Sequence, residues 1–268
     1  RRASLMPMKV AAFDFDGTLH YPQRAPGATF DQPALAAIDA WRNAGHLAIS
    51  ATGRSRSALA YGLAGSHLRF DYQVLSNGGS ATTGDDSTLV YAYPIDPAVL
   101  VAAIDEFSHR DGMAVFGTTV GTVDGVFANN TGDTSTLTAH FTPMTKADIP
   151  DHTFAVVPLW VPEDDALRTE VVRWASRFGD GVTVAQNHTY VDFMAPGRNK
   201  GVGILELLAA IGVDRDDVEL YTFGDSWNDL AMHEIADCSH SFSHSPADVR
   251  AATDRVISSV AEALPHYL

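Results

Sequence analysis

Lys9-Val10-Ala11-Ala12-Phe13-Asp14-Phe15-Asp16-Gly17-Thr18-Leu19 carries the first decision about the fold. The run Lys9–Phe15 is apolar except at its carboxylate end, which reads as a buried strand opening into a turn. Side chains at i and i+2 leave a strand on the same side, so Asp14 and Asp16 can face one site. Two carboxylates held that close repel, and one tends to keep its proton unless a cation intervenes. Neighbouring residues thereby offer a nucleophile and a general acid. Gly17 permits the sharp turn that follows.

Working outward, Asp31 caps a helix through Leu35, Ile38 and Trp41, and Gly45 supplies its stop. His46–Ala51 reads as a second buried strand, Ser55–Leu63 as a helix and Tyr72–Ser76 as a third strand. Strands alternating with helices argue for a parallel sheet covered on both faces. After Asn77-Gly78-Gly79 the character changes. Short strands are expected at Leu89–Tyr93, Met113–Phe116, Thr122–Phe127, Phe154–Val161, Val182–Ala185 and Thr189–Phe193, with helices at Pro97–Arg110 and Glu163–Phe178. Many strands with few helices suggest an α+β unit on an antiparallel sheet. Alternation returns with a helix at Gly201–Ile211, a strand at Leu220–Phe223 and a helix at Pro246–Thr253. The expected fold class is α/β: a doubly wound, Rossmann-like parallel sheet core. Residues 9–81 and 194–268 form that core, and residues 82–193 are inserted into it.

The chain has 268 residues, 46% of them apolar, enough for one large domain or two modest ones. No run approaches the roughly 18 apolar residues of a membrane span. The beginning, Arg1-Arg2-Ala3-Ser4-Leu5-Met6-Pro7-Met8, lacks the apolar core of a signal peptide. It reads instead like a basophilic kinase site or a tag remnant, with Met6 or Met8 as the natural start. Cys238 is the only cysteine, which excludes an internal disulfide and points to a reducing, cytoplasmic setting. With 33 acidic against 18 basic residues, the formal charge is −15. Such a surface repels nucleic acid and anionic membrane. It would also repel a phosphorylated substrate unless a metal, a lysine or both reverse the local field.

Three further segments meet that requirement. In an open parallel sheet the ligand crevice lies beyond the carboxyl ends of the strands, where Asp14, Thr52 and Asp225 all fall. In Ser50-Ala51-Thr52-Gly53-Arg54, a hydroxyl, a glycine and a helix start present O–H and free N–H groups to an anion. In Pro196-Gly197-Arg198-Asn199-Lys200-Gly201, one of only three lysines sits at a helix start, where the dipole disfavours a cation. A role in neutralising a phosphoryl oxygen and the aspartates explains that cost. In Gly224-Asp225-Ser226-Trp227-Asn228-Asp229, carboxylates at i and i+4 with an amide between them suit magnesium.

Together the four segments resemble the motifs of the haloacid dehalogenase superfamily of phosphatases. Asp14-x-Asp16-Gly17-Thr18 is similar to the first motif, Thr52 to the second, Lys200 to the third and Gly224-Asp225-x-x-Asn228-Asp229 to the fourth. Ala51-Thr52-Gly53-Arg54, Asn77-Gly78 and Lys200-Gly201 resemble the Cof-type subgroup, and the insert resembles its α/β cap in layout. The resemblance implies a magnesium-dependent phosphatase acting on a small phosphorylated metabolite. It implies that Asp14 attacks phosphorus and forms an aspartyl-phosphate, while Asp16 gives and then takes a proton. Thr52, Gly53, Lys200 and Asn228 would bind the phosphoryl group; Asp14, the Asp16 carbonyl and Asp225 would hold Mg2+; Asp229 would orient Lys200 or a water. The insert would close over the site, with Asn187, His188 and Tyr190 as candidate substrate contacts.

The chain departs from the family after the fourth motif. Where a Gly-Asn-Ala turn is usual, it has Cys238-Ser239-His240-Ser241-Phe242-Ser243-His244-Ser245-Pro246. With His233 nearby, these histidines fit no zinc spacing and read as a polar loop. A phosphotransferase or sugar-phosphate mutase would use the same phosphoenzyme, and a catalytically silent relative would bind without turnover. A dinucleotide-binding dehydrogenase lacks its Gly-x-Gly-x-x-Gly turn. Sugar phosphates, a phosphorylated vitamin such as pyridoxal phosphate, and nucleotides all remain open as substrates. No protein partner is implied.

Overall fold

Val10, Ala11, Ala12 and Phe13 have no exposed surface, because their strand lies between two others in the middle of a sheet. The computed structural model describes residues 8–268, so the Arg-Arg-Ala-Ser-Leu stretch lies outside the described residues. The first elements are β1 (Met8–Phe13), α1 (Gln32–Asn43), β2 (Leu47–Ala51), α2 (Arg56–Leu63), β3 (Tyr72–Leu75), β4 (Ser80–Thr83) and β5 (Leu89–Ala92). Next come α3 (Pro97–Phe107), β6 (Ala114–Thr119), β7 (Gly125–Asn129), β8 (Thr142–Pro143), β9 (Phe154–Trp160), α4 (Asp165–Trp174), β10 (Thr183–Asn187) and β11 (Tyr190–Met194). The last are α5 (Lys200–Ala210), β12 (Val218–Phe223), α6 (Leu230–Glu234), β13 (Cys238–Phe242), α7 (Ala247–Ala251), β14 (Arg255–Ile257) and α8 (Val260–Ala263).

The larger sheet has eight strands in the order β14-β13-β12-β1-β2-β3-β4-β5. Pairing is parallel from β14 through β3 and antiparallel where β4 and β5 extend it. The order runs outward in both directions from β1, so the switch point of the double winding lies at its carboxyl end, where Asp14 follows. One face packs Phe13, Phe15 and Phe223 against Leu35, Ile38 and Trp41 of α1. The other packs Val10, Ile49 and Val74 against Ile204, Leu207 and Leu208 of α5. Each such side chain contributes roughly 1.5–3 kcal/mol on burial.

The second sheet has six strands in the order β10-β11-β9-β6-β7-β8, antiparallel except for the short β7–β8 pairing. Its core joins Leu100 and Phe107 of α3, Leu167 and Val171 of α4, and Phe154 and Phe193.

Two expectations need correction. Leu89–Tyr93 was expected within the insert, but β5 pairs with β4 in the larger sheet, so the chain leaves that sheet after this hairpin. The Tyr91 hydroxyl donates to the Gly203 carbonyl at 3.0 Å and ties the hairpin to α5. The segment expected as a polar loop at Cys238–Pro246 begins as strand β13. Its polar side chains are satisfied internally, which is what allows their burial. Asp254 accepts from the Ser239 backbone and hydroxyl, each at 2.8 Å, and Ser241 pairs with the Thr253 hydroxyl. His240 has no exposed surface. Its Nδ1 donates to the Thr222 carbonyl and its Nε2 accepts from the Tyr267 hydroxyl. Burial pushes His240 down to about 4, which keeps the ring neutral.

The turn after β3 sets the position of α5. Gly78 has φ +88, and a Cβ there would lie 2.1 Å from the Asn199 carbonyl oxygen. Asn199 caps α5 by accepting from the Val202 N–H at 2.8 Å, and Lys200 is the next residue. Gly78→Ala should therefore lower stability by about 2–4 kcal/mol from strain and backbone overlap. Urea denaturation would show this as a lowered midpoint.

Candidate active site

Asp14 follows β1 directly, its N–H bonded to the Phe223 carbonyl at 2.8 Å, so its carboxylate leaves the sheet at the switch point. Lys200 begins α5 on the other side of the crevice and is fully buried. Its ammonium donates to Asp14 Oδ1 at 2.7 Å and to Asp229 Oδ1 at 2.6 Å. Burial disfavours the ammonium, but the two carboxylates outweigh it and raise its affinity for the proton. Burial and the charges of Asp229 and Asp225 push Asp14 upward against the opposing pull of Lys200.

Asp225 follows β12 and is also buried. The carboxylates of Asp14, Asp225 and Asp229 bring one oxygen each within 4.8 Å of one another. Three carboxylates and one ammonium leave two negative charges, which one divalent cation would balance. Asp225 Oδ1 is buried and has no hydrogen-bond partner among the described residues. An orphaned buried carboxylate oxygen beside two others is a hard donor set, and a divalent metal fits it. Gly17 makes this approach possible: a Cβ there would lie 2.4 Å from Asp225 Oδ2.

Asp16 is placed apart from that carboxylate cluster. Arg54 grips it through Nε at 2.6 Å and Nη2 at 2.8 Å, and His20 Nδ1 lies 2.9 Å from its Oδ1. Burial acts upward on Asp16, but Arg54 and His20 prevail and lower it to about 2. Thr52, at the end of β2, is buried, and its hydroxyl oxygen accepts from the Arg54 N–H at 3.0 Å. Gly53 lies against the Asn77 amide, with its missing Cβ 3.3 Å from Asn77 Oδ1. Asn228 donates to Asn77 Oδ1 at 3.0 Å, and its own Oδ1 is buried without a partner among the described residues.

The insert faces this rim closely. Asp192 of β11 accepts from Asn77 Nδ2 at 2.9 Å, completing a chain from Asn228 through Asn77 to the insert. Asp124, before β7, accepts from Ser55 Oγ at 2.5 Å, from Ser57 and from the Thr119 N–H. Its contacts hold the start of α2, just after Thr52-Gly53-Arg54. His188, at the turn between β10 and β11, has φ +49 and brings Nε2 within 3.4 Å of Asp225 Oδ2. A cavity of about 70 Å³ remains between the halves, lined by Asp14, Asp16, Thr52 and Arg54 below and Asn187, Tyr190 and Asp192 above.

Sequence reasoning singled out Asn187, His188 and Tyr190 in the insert but missed Asp192 and Asp124. A carboxylate inside the apolar strand Tyr190-Val191-Asp192-Phe193-Met194 was the available signal, since a buried charge is the informative exception. His244 also approaches the site, with Nε2 2.9 Å from the Gly17 carbonyl.

Fold and site together define a doubly wound α/β protein with an aspartate-centred site beneath an inserted α+β unit. A sequence profile of haloacid dehalogenase-like hydrolases matches residues 11–264, and the chain belongs to that family. Solved structures share the fold over 97% of this chain. The haloacid dehalogenase subclass IIB sugar phosphatase BT4131 is 19% identical, with a TM-score of 0.76 over 99% of its length. A HAD/COF-like hydrolase from Plasmodium vivax is 18% identical, with a TM-score of 0.78 over 95% of its length. A haloacid dehalogenase-like hydrolase from B. subtilis is 15% identical, with a TM-score of 0.80 over its full length. No curated protein matches the chain. No helix among the described residues is long and apolar enough to cross a membrane.

Asp192 provides a stability test. Burial raises it to about 7 despite the Asn77 hydrogen bond and the Lys200 charge. Between its unfolded value near 4 and this folded value, the folded chain holds a proton that the unfolded chain has lost. Stability from this group is therefore fully present below about pH 4 and falls as pH rises toward 7, by at most about 1.4 kcal/mol per unit. Asp192→Asn removes the effect. Its denaturation midpoint, relative to that of the unsubstituted chain, should climb from pH 4.5 to 7.5.

Proposed function

We propose that this protein is a magnesium-dependent phosphatase that hydrolyses a small phosphorylated metabolite through an aspartyl-phosphate on Asp14. The observation that carries this reading is the Asp14 carboxylate, held at the switch point by a buried ammonium and bordered by a donor set for a divalent cation. Two neighbours of similar fold support the choice of chemistry, one being a sugar phosphatase and the other a HAD/COF-like hydrolase.

Asp14 is the nucleophile. Lys200 fixes its Oδ1, leaving the other oxygen to attack phosphorus in line with the leaving group. Lys200 also opposes the negative charge that builds on the equatorial phosphoryl oxygens, and Asp229 holds the ammonium in place. Thr52 and the N–H groups after it face the same oxygens from the end of β2. Asp14, the Asp16 carbonyl and Asp225 would hold Mg2+, which when bound supplies positive charge against the phosphoryl oxygens.

Asp16 stands as a carboxylate under the grip of Arg54 and His20. In that state it is ready to take a proton from the water that cleaves the acyl-phosphate. To protonate the leaving oxygen first, it must take a proton from solvent and loosen from Arg54 before the insert closes. That proton leaves with the departing alcohol as Asp14 displaces it. Water enters afterwards to cleave the acyl-phosphate and return a proton to Asp16.

A panel of phosphorylated metabolites, assayed for inorganic phosphate with magnesium and with chelator, tests the reading. Release is expected with magnesium alone and is expected to vanish in Asp14→Asn. Asp16→Asn should lower turnover by about 10²–10⁴-fold. Unchanged phosphate release in Asp14→Asn would overturn the mechanism.

A further inference from the structure

We infer that the leaving group lies in a second cavity beside the catalytic cleft, where Arg24 binds an anionic group remote from the scissile phosphate; this rests on the phosphatase reading above. The anion is a carboxylate or a second phosphate. The cleft under the insert encloses only about 70 Å³, below the roughly 300–1,000 Å³ of sites that take a whole metabolite. It has room for the phosphoryl group, and the rest of the substrate must extend elsewhere. An adjoining cavity of about 690 Å³ shares Asp16, Leu137 and Tyr190 with the cleft and continues to Arg24. The oxygen that Asp16 protonates carries the leaving group, so the leaving group departs on the side of Asp16. The larger cavity is on that side.

Arg24 is built into this wall. The turn Tyr21-Pro22-Gln23-Arg24 closes with the Arg24 N–H donating to the Tyr21 carbonyl at 3.0 Å, and proline favours its second position. Tyr21 is buried, and its hydroxyl donates to the Thr18 carbonyl at 3.2 Å, which fixes the ring. The turn lays the Arg24 guanidinium 3.8 Å from the centroid of that ring. A ring face attracts the cation but offers no oxygen to its five N–H donors. Those donors make no hydrogen bond or ion pair among the described residues.

The other charged groups of the cavity are engaged. Arg54 grips Asp16, and Asp225 belongs to the carboxylate set suited to a divalent cation. His244 Nε2 lies 2.9 Å from the Gly17 carbonyl, and His188 Nε2 lies 3.4 Å from Asp225 Oδ2. Arg24 is therefore the unmatched permanent charge of this cavity among the described residues. Leu137 and the stacked rings of Trp160 and Tyr190 line the insert side. Such a wall lowers the local dielectric, so a guanidinium–anion pair is stronger there than on open surface. A carboxylate or phosphate accepts two parallel N–H bonds from the guanidinium, which a hydroxyl does not.

The test uses matched pairs that differ in the remote group alone: glycerol 3-phosphate with 3-phosphoglycerate, glucose 6-phosphate with 6-phosphogluconate, and fructose 6-phosphate with fructose 1,6-bisphosphate. In at least one pair the unsubstituted protein should favour the anionic member by about tenfold or more in kcat/KM. Preference within the first two pairs assigns the site to a carboxylate, and preference within the third assigns it to a phosphate. Arg24→Gln should lower that ratio by about tenfold, chiefly through KM, and Arg24→Lys should restore part of it because the charge returns. A merely structural role for Arg24 would move both members of a pair alike. p-Nitrophenyl phosphate, which has no remote anion, serves as the reference. If it is hydrolysed while no pair shows the preference, or while Arg24→Gln leaves the ratio unmoved, the role of Arg24 is overturned and the phosphatase reading stands. Absence of hydrolysis of the reference and of all six metabolites, with magnesium present, overturns both.

Discussion

The buried ammonium of Lys200, shared between Asp14 and Asp229, is the interaction around which the site is organised. Burying an ion is expensive unless its partners are close and well directed, and here both carboxylates lie within 2.7 Å of the same nitrogen. The arrangement depends on three remote pieces of chain: the end of β1, the start of α5 and the turn after β12. Each piece is held by the parallel sheet or packed against it, so the sheet register sets how closely the charges approach. Removing the ammonium would leave Asp14 and Asp229 buried beside Asp225 without the cation that bridges them.

The same constraint explains the relation between the insert and the core. A rim with net negative charge cannot hold an acidic insert by general attraction, so the two meet through specific partners. Asp124 bonds to the serines that begin α2, Asp192 reaches Asn228 through Asn77, and His188 approaches Asp225. Each contact ends on or beside a residue of the rim that carries Asp14, Thr52 and Asp225.

Much of this was legible in the sequence because it is local. An apolar strand ending in Asp14-x-Asp16, a lone lysine at a helix start and a Gly-Asp turn each declare themselves within a few residues. Their convergence follows from a rule of parallel sheets rather than from any contact that must be known beforehand. Cys238–Phe242 was misread for the opposite reason. Its serines and histidine look like a solvated loop until Asp254, Thr222, Thr253 and Tyr267 are brought against them. Leu89–Ala92 likewise pairs as any edge strand would, and only the packed structure decides which sheet it joins.

By itself, then, the sequence determined the doubly wound core, the presence of a large α+β insert and the identity of the residues at the strand ends, Asp14 foremost. Tertiary structure alone decided what surrounds them. It clamped Asp16 with Arg54, left Asp225 Oδ1 without a partner and carried Asp192 from the insert into the cavity. The physical reason is one of range. Strand and helix patterns are written in spacings of two to four residues. The charge and hydration of a buried group depend instead on neighbours 38 residues away, as for Asp16 and Arg54, or 186, as for Asp14 and Lys200.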